Sequence, residues 1–253
     1  MPVTTQRQGR VATLTLDRPP LNILDLELIA QLDAALSSLA DDPQLHLVVL
    51  RGAGDRAFST GVAIEDHAAD QIDAMLGGFH GAIRKLRNLP AVTLAVVHGH
   101  CLGGGCELAT SCDLVLATDD ARFGVPEVRL GCFPPVAAAL YPRRLGPART
   151  LELLLTGRTL DCAEAEQLGL VTWRVPGAEL ESRLAERIAA LTDNSAAVAR
   201  LIKQAVHNGV ELPFDAALAR TEDLYRRRLA ELEDMTEGLE AFRHKRPPVW
   251  RHR

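Results

Sequence analysis

Residues 94–113 read LAVVHGHCLGGGCELATSCD: an apolar strand-forming run enters Gly103-Gly104-Gly105 and leaves as a helix opened by Cys106 and Glu107. Glycines let backbone N–H groups face a ligand closely, and a helix N-terminus adds positive potential. The turn suits an oxyanion; the alternative is a tight turn packed against a neighbour, and the segment by itself leaves both open. It lacks the GxGxxG spacing of a dinucleotide fingerprint. A second glycine turn, residues 56–64 (RAFSTGVAI), offers another inward N–H. A third segment, residues 123–135 (FGVPEVRLGCFPP), sets Glu127 just after a proline and twenty residues beyond Glu107. A Pro-Glu pair in isolation is ordinarily a surface turn.

These turns need regular elements to hold them. Val11–Leu16 alternates apolar residues and threonines like a half-buried strand, closed by Arg18-Pro19-Pro20. Asp25 is placed to cap a helix with Leu28, Leu32, Leu36 and Leu39 on one face, and residues 46–50 read as a buried strand ended by Gly52. Residues 66–86 predict a second helix turning Ile72, Met75, Phe79, Ile83 and Leu86 to the core; residues 94–97 and 113–117 predict further strands. Strands alternating with helices give an α/β core of wound βαβ-type units. Beyond about residue 145 helices take over, at 150–155, 163–168, 180–191, 196–207 and 216–232, with one short strand at 171–175. No linker or low-complexity tract separates the parts, so a core over 1–190 carries a helical appendage over 191–253.

At 253 residues, 47% hydrophobic and 24% charged, the chain is long and apolar enough for a sizeable core, which excludes disorder and disulfide miniproteins. A net charge of -5 gives no general attraction to nucleic acid. The first ten residues lack an apolar leader and no stretch approaches the ~20 apolar residues of a membrane span, so a soluble cytoplasmic protein is expected. The five cysteines lack CxxC spacing and read as reduced core thiols. His98 and His100 form an HxH pair without a third ligand, which favours packed histidines over a metal site.

In this order and spacing the segments resemble the enoyl-CoA hydratase/isomerase (crotonase) superfamily. Its patterns RAFSxGxxI, GGGCELAxxCD, ARFGxPExxLGxFP, LLLTGR and AEAxxLGLV are met at 56–64, 103–113, 121–134, 153–158 and 163–171, and residues 237–248 (EGLEAFRHKRPP) look like the family's closing helix. The resemblance implies a crotonase-like spiral of ββα units over 1–190, with a C-terminal helical trimerisation region over 191–253. It implies a trimer, or a hexamer made of two trimers. It also implies acyl-CoA thioester substrates and no cofactor or metal beyond the coenzyme A of the substrate. The oxyanion hole would be the N–H groups of Val62 and Gly104, and the hydratase carboxylates Glu107 and Glu127. Arg56, Ala57, Ser59, Ala63, Ile64 and Lys245 would meet coenzyme A, and His67, Pro135 and Val136 would shape the acyl pocket. The activity implied is hydration of an α,β-unsaturated acyl-CoA. Two close carboxyl groups divide the work of base and acid because their like charges keep one protonated.

The chain departs from the family pattern in two places. Ala63 stands where many relatives carry aspartate, a carboxylate outside the hydratase pair. The loop after Glu127 reads FPPVAAALYP where hydratases typically read FPGAGGTQRL, so Pro135 removes an N–H that would help hold the attacking water. Short motifs at 65–70 (EDHAAD), 79–80 (FH) and 101–105, ahead of that loop, look similar to the cyclohexa-1,5-dienecarbonyl-CoA hydratase branch. A cyclic dienoyl-CoA hydratase or an acyl-CoA double-bond isomerase is therefore the alternative. A non-catalytic acyl-CoA or RNA-binding member would show a broken carboxylate pair or a basic core surface, and neither is present. A serine nucleophile elbow fails because Cys106 and Glu107 occupy its place.

Overall fold

The computed structural model describes residues 1–253. In chain order the first half comprises β1 (Val3–Gln8), β2 (Val11–Leu16), α1 (Leu26–Ala40), β3 (Leu47–Gly52), β4 (Ala57–Ser59), α2 (Ile72–Asn88), β5 (Val92–Val97), β6 (His100–Leu102), α3 (Gly104–Thr110), β7 (Leu114–Thr118) and β8 (Arg122–Gly124). The second half comprises α4 (Pro135–Leu145), α5 (Pro147–Thr156), β9 (Thr159–Asp161), α6 (Cys162–Gln167), β10 (Trp173–Val175), α7 (Leu180–Thr192), α8 (Ala196–Gly209), α9 (Phe214–Arg227) and α10 (Glu233–Arg243).

The strands form a six-stranded sheet in the order β1-β2-β3-β5-β7-β10 and a four-stranded sheet in the order β4-β6-β8-β9. From β2 to β10 the large sheet is parallel, and β4, β6 and β8 are parallel neighbours in the small one. Each winding therefore lays one strand in the large sheet, the next in the small sheet, and a helical segment after it. The central strands β3, β5 and β7 are buried on both faces, which is why they read as nearly unbroken apolar runs. Val48, Leu50, Ala95 and Val97 pack toward α1 and α2, while Leu47, Val49, Leu94 and Val96 pack on Leu184 of α7.

Asp25 caps α1 by accepting a 2.9 Å hydrogen bond from the Leu28 N–H, and the leucine stripe it starts is buried as expected. The helix expected from residue 66 begins instead at Ile72. Residues 65–67 form a 3-10 turn, and Ala68 is extended with ψ 149°, which breaks the helical run. Ile72 is consequently 39% exposed rather than in the core. β1 escapes the alternation pattern because VTTQRQ buries only Val3, as an edge strand permits. The single helix expected over 216–232 ends at Arg227; a 3-10 turn at Leu229–Glu231 redirects the chain into α10. Four cysteines are buried, but Cys132 is only partly so and edges a cavity, which corrects the reading of all five as core thiols. No helix is long and apolar enough to cross a membrane.

Candidate active site

The three glycine- and proline-marked turns occupy equivalent places in successive windings. Val62 follows β4, Gly104 follows β6 and Glu127 follows β8, and because these strands are adjacent and parallel the segments after them converge. They wall a cavity of about 300 Å³, closed on another side by α2 and on a third by residues 130–135.

Gly103 adopts φ 52°, a conformation L side chains rarely take, and a Cβ there would lie 3.0 Å from Glu127 Oε1. The absent side chain is what admits the carboxylate. A Cβ on Gly104 would meet Val62 Cγ2 at 2.8 Å and Val62 N at 3.4 Å, so the Gly104 backbone lies close against Val62. Neither donates in the turn and loop hydrogen bonds of the chain, and Gly104 opens α3, where first-turn N–H groups have no intrahelical partner. Both N–H groups are thus available to an oxyanion.

Glu107 lies on α3 and is 3% exposed. Its Oε1 accepts a 2.8 Å hydrogen bond from the N–H of Ala137. Burial pushes its carboxyl up to about 7, opposed by the Ala137 and Val136 N–H groups and reinforced by the negative charge of Glu127. Glu127 is half-buried and also raised, chiefly by burial, with its own backbone N–H and His67 opposing the rise. Its Oε2 is buried without a partner in the chain. The negative charge of Glu127 adds to the rise at Glu107, so the pair resists simultaneous ionisation.

The structure brings Val62, Ile64, His67, Gly104, Glu107, Glu127 and Pro135 to this one cavity. His67 Nδ1 is 3.0 Å from the Ala63 carbonyl oxygen, which ties its ring to the turn that carries Val62. Val136, next to Pro135, is partly buried against the hydrophobic core, and its N–H faces Glu107. Pro135 opens α4, where a missing N–H is tolerated, and the amides that follow it face Glu107. Ala57 and Ser59 are fully buried on β4, so their side chains are turned away from any ligand; the Ser59 hydroxyl accepts from the Gly61 N–H at 3.2 Å. The Ala63 N–H is used by the Leu24 carbonyl. Arg56 is exposed and Lys245 follows α10, and neither lines the cavity.

Sequence reasoning missed Thr60, Leu76, His80 and Phe133 as lining residues. Ile72, Met75, Leu76, Phe79 and His80 fall at i, i+3, i+4, i+7 and i+8, so one face of α2 forms a wall. That spacing is visible in the sequence, but an apolar stripe facing a cavity reads the same as one facing a core. His80 is held below the ordinary histidine range by burial and by Arg84, so it is neutral at pH 7.

The sequence profile described as enoyl-CoA hydratase/isomerase matches residues 6–253. A Rhizobium meliloti protein named as a probable enoyl-CoA hydratase is 39% identical over 98% of this chain and 97% of its own. The cyclohexa-1,5-dienecarbonyl-CoA hydratase of Thauera aromatica is 37% identical over 99% of this chain and 96% of its own. Among solved structures, an enoyl-CoA hydratase from Bacillus anthracis superposes with a TM-score of 0.94 at 28% identity, over 100% of both chains.

Proposed function

The chain belongs to the enoyl-CoA hydratase/isomerase family, and from that premise we propose that it is a hydro-lyase adding water across the double bond of an α,β-unsaturated acyl-CoA. The observation that carries this reading is the convergence of Glu107 and Glu127 on one cavity whose wall presents the Val62 and Gly104 N–H groups. The thioester carbonyl oxygen sits between those two donors. Water, activated by one carboxylate, adds its oxygen to the β-carbon. Negative charge then collects on the carbonyl oxygen as an enolate, which the fixed N–H groups stabilise without reorganising. The carboxyl group that stays protonated delivers its proton to the α-carbon. No further cofactor is required by these steps, because the coenzyme A moiety arrives with the substrate.

Arg56 and Lys245 are the residues we assign to the coenzyme A phosphates, Lys245 from this or a neighbouring subunit, with the Ala57–Ser59 and Ala63–Ile64 backbone beside the thioester arm. Self-association as a trimer or a dimer of trimers through residues 191–253, packed on the 1–190 core, is supported by the apolar surface there: Ile202, Val206, Leu239 and Phe242 are all exposed. Five unpaired cysteines fit a cytoplasmic setting.

A cyclic dienoyl thioester is the second reading for the acyl group. It is supported by the Thauera aromatica relative and by the crowding of Phe133, Pro134 and Pro135 at the cavity. Rates of hydration measured on straight-chain, branched and cyclic enoyl-CoAs, with a 3-enoyl-CoA as the isomerase control, test both readings. Turnover of the 3-enoyl substrate alone would overturn hydration.

A further inference from the structure

A second cavity, of about 740 Å³, opens among the C-terminal end of α2, α8 and residues 251–253. It shares no lining residue with the acyl cavity. Arg87 lies seven residues beyond His80, which is about 10 Å along the axis of α2. Its lining carries six cations, Arg87, Arg200, Lys203, Arg228, Arg251 and Arg253, and no aspartate or glutamate. This is in a chain whose net charge is -5.

Only two of these cations are matched within the chain: Lys203 by Asp113 at 2.8 Å and Arg253 by Glu233 at 3.1 Å. Arg87, Arg200, Arg228 and Arg251 form no ion pair. Arg200 is held over the Pro43 and Leu45 carbonyl groups, with its Nε buried and unpartnered. Behind the lining, His46 is 1% exposed with both ring nitrogens unpartnered, and its ring lies 6.2 Å from that of His252. Burial, then the positive surroundings of His252, Arg200 and Arg10, push His46 down to about 4. Four guanidiniums without an ion pair, around a cavity whose lining holds no carboxylate, favour an anion there, and guanidiniums match phosphate oxygens in bidentate geometry. The volume lies in the range of small-molecule sites, and Asn88, Asn208 and two glutamines supply hydrogen bonds to an organic part.

We propose that this cavity binds a ligand with two or more linked phosphates and the size of a nucleotide, at a site separate from the acyl cavity. Such a group is carried by a free nucleoside polyphosphate and by coenzyme A itself, so calorimetry on the full chain is run with ATP, inorganic pyrophosphate and free coenzyme A. ATP and pyrophosphate are expected to bind the wild type and to lose at least about tenfold in affinity in Arg87→Gln/Arg228→Gln. One lost charged hydrogen bond is worth about that factor, so the loss of two meets this floor. The KM for an enoyl-CoA stays unchanged in that variant. Arg251→Gln serves as the second probe should the double variant fail to fold. The proposal is overturned if neither ATP nor pyrophosphate binds at millimolar concentration, or if their affinity is the same in the variants. Arginine-dependent binding of coenzyme A alone overturns it too, by making this the substrate's own handle site. So does a change of assembly mass in the variants by sedimentation, which would show an acidic surface of a second copy filling the cavity.

Discussion

The Glu107 carboxylate accepts its 2.8 Å hydrogen bond from the Ala137 N–H, two residues into the helix that Pro135 opens. The segment that departs most from the family pattern thus grips the more buried member of the carboxylate pair. The N-terminus of α4 favours the ionised form of Glu107 while burial opposes it, and burial prevails.

Replacing Glu107 or Glu127 by glutamine keeps the shape and removes the proton-transfer group. Each variant is expected to lose roughly 100- to 10000-fold in hydration. Loss of the conjugated enoyl thioester absorbance measures it, and near wild-type turnover in either would dissolve the assigned pair.

Stability should carry the mark of Glu107. Its folded-state pKa of about 7 lies above the ordinary 4.5, so between those values the folded protein binds more protons than the unfolded chain. The associated stability is complete below about pH 4.5 and is lost as pH rises through 7, by on the order of a few kcal/mol. Glu107→Gln should therefore unfold at higher urea than wild type at pH 8, with the difference shrinking toward pH 5. An equal or lower midpoint at pH 8 contradicts the burial account.

Gly104→Ala would place a Cβ 2.8 Å from Val62 Cγ2 and spread the two N–H donors. Loss of one oxyanion donor is worth on the order of 100- to 1000-fold in rate. The variant should remain folded by circular dichroism and fall by that amount in kcat; unchanged kcat would remove these N–H groups from the mechanism.

Arg56 and Lys245 are expected to act on binding alone. Neutralising both should raise KM for an enoyl-CoA with little change in kcat, as loss of uniform binding does. Unchanged coenzyme A affinity by calorimetry counts against their role.

Pro135 tests whether the altered segment is specialised. With its N–H missing, wild type should be slow on crotonyl-CoA and should favour a bulkier cyclic or branched acyl group. Pro135→Gly should speed the former and erode the preference. Fast crotonyl-CoA hydration by wild type, with neither rate nor preference altered in the variant, would show Pro135 to be neutral.

The strand-and-helix rhythm and the leucine stripe of α1 were legible because period and capping are local properties. So were the three turns, since their glycines and the Pro126-Glu127 step mark backbone geometry directly. The late start of α2 was not, because the extended Ala68 interrupts a stripe whose spacing continues through it. Nor was the cavity-facing wall of α2: whether an apolar side chain such as Phe79 meets core or cavity depends on what packs opposite, and that lies elsewhere in the chain.

By itself the sequence determined the α/β winding, the family resemblance and the residue types of the site, all carried by short segments with fixed spacing. The tertiary structure decided which of them meet. The parallel adjacency of β4, β6 and β8 brings Val62, Gly104 and Glu127 to one wall, and burial at that wall raises both carboxyl groups. Desolvation is a property of the folded surroundings, so neither the chemical character of the glutamates nor the cluster of unpaired arginines from α2, α8 and the C-terminal segment existed before the chain closed around them.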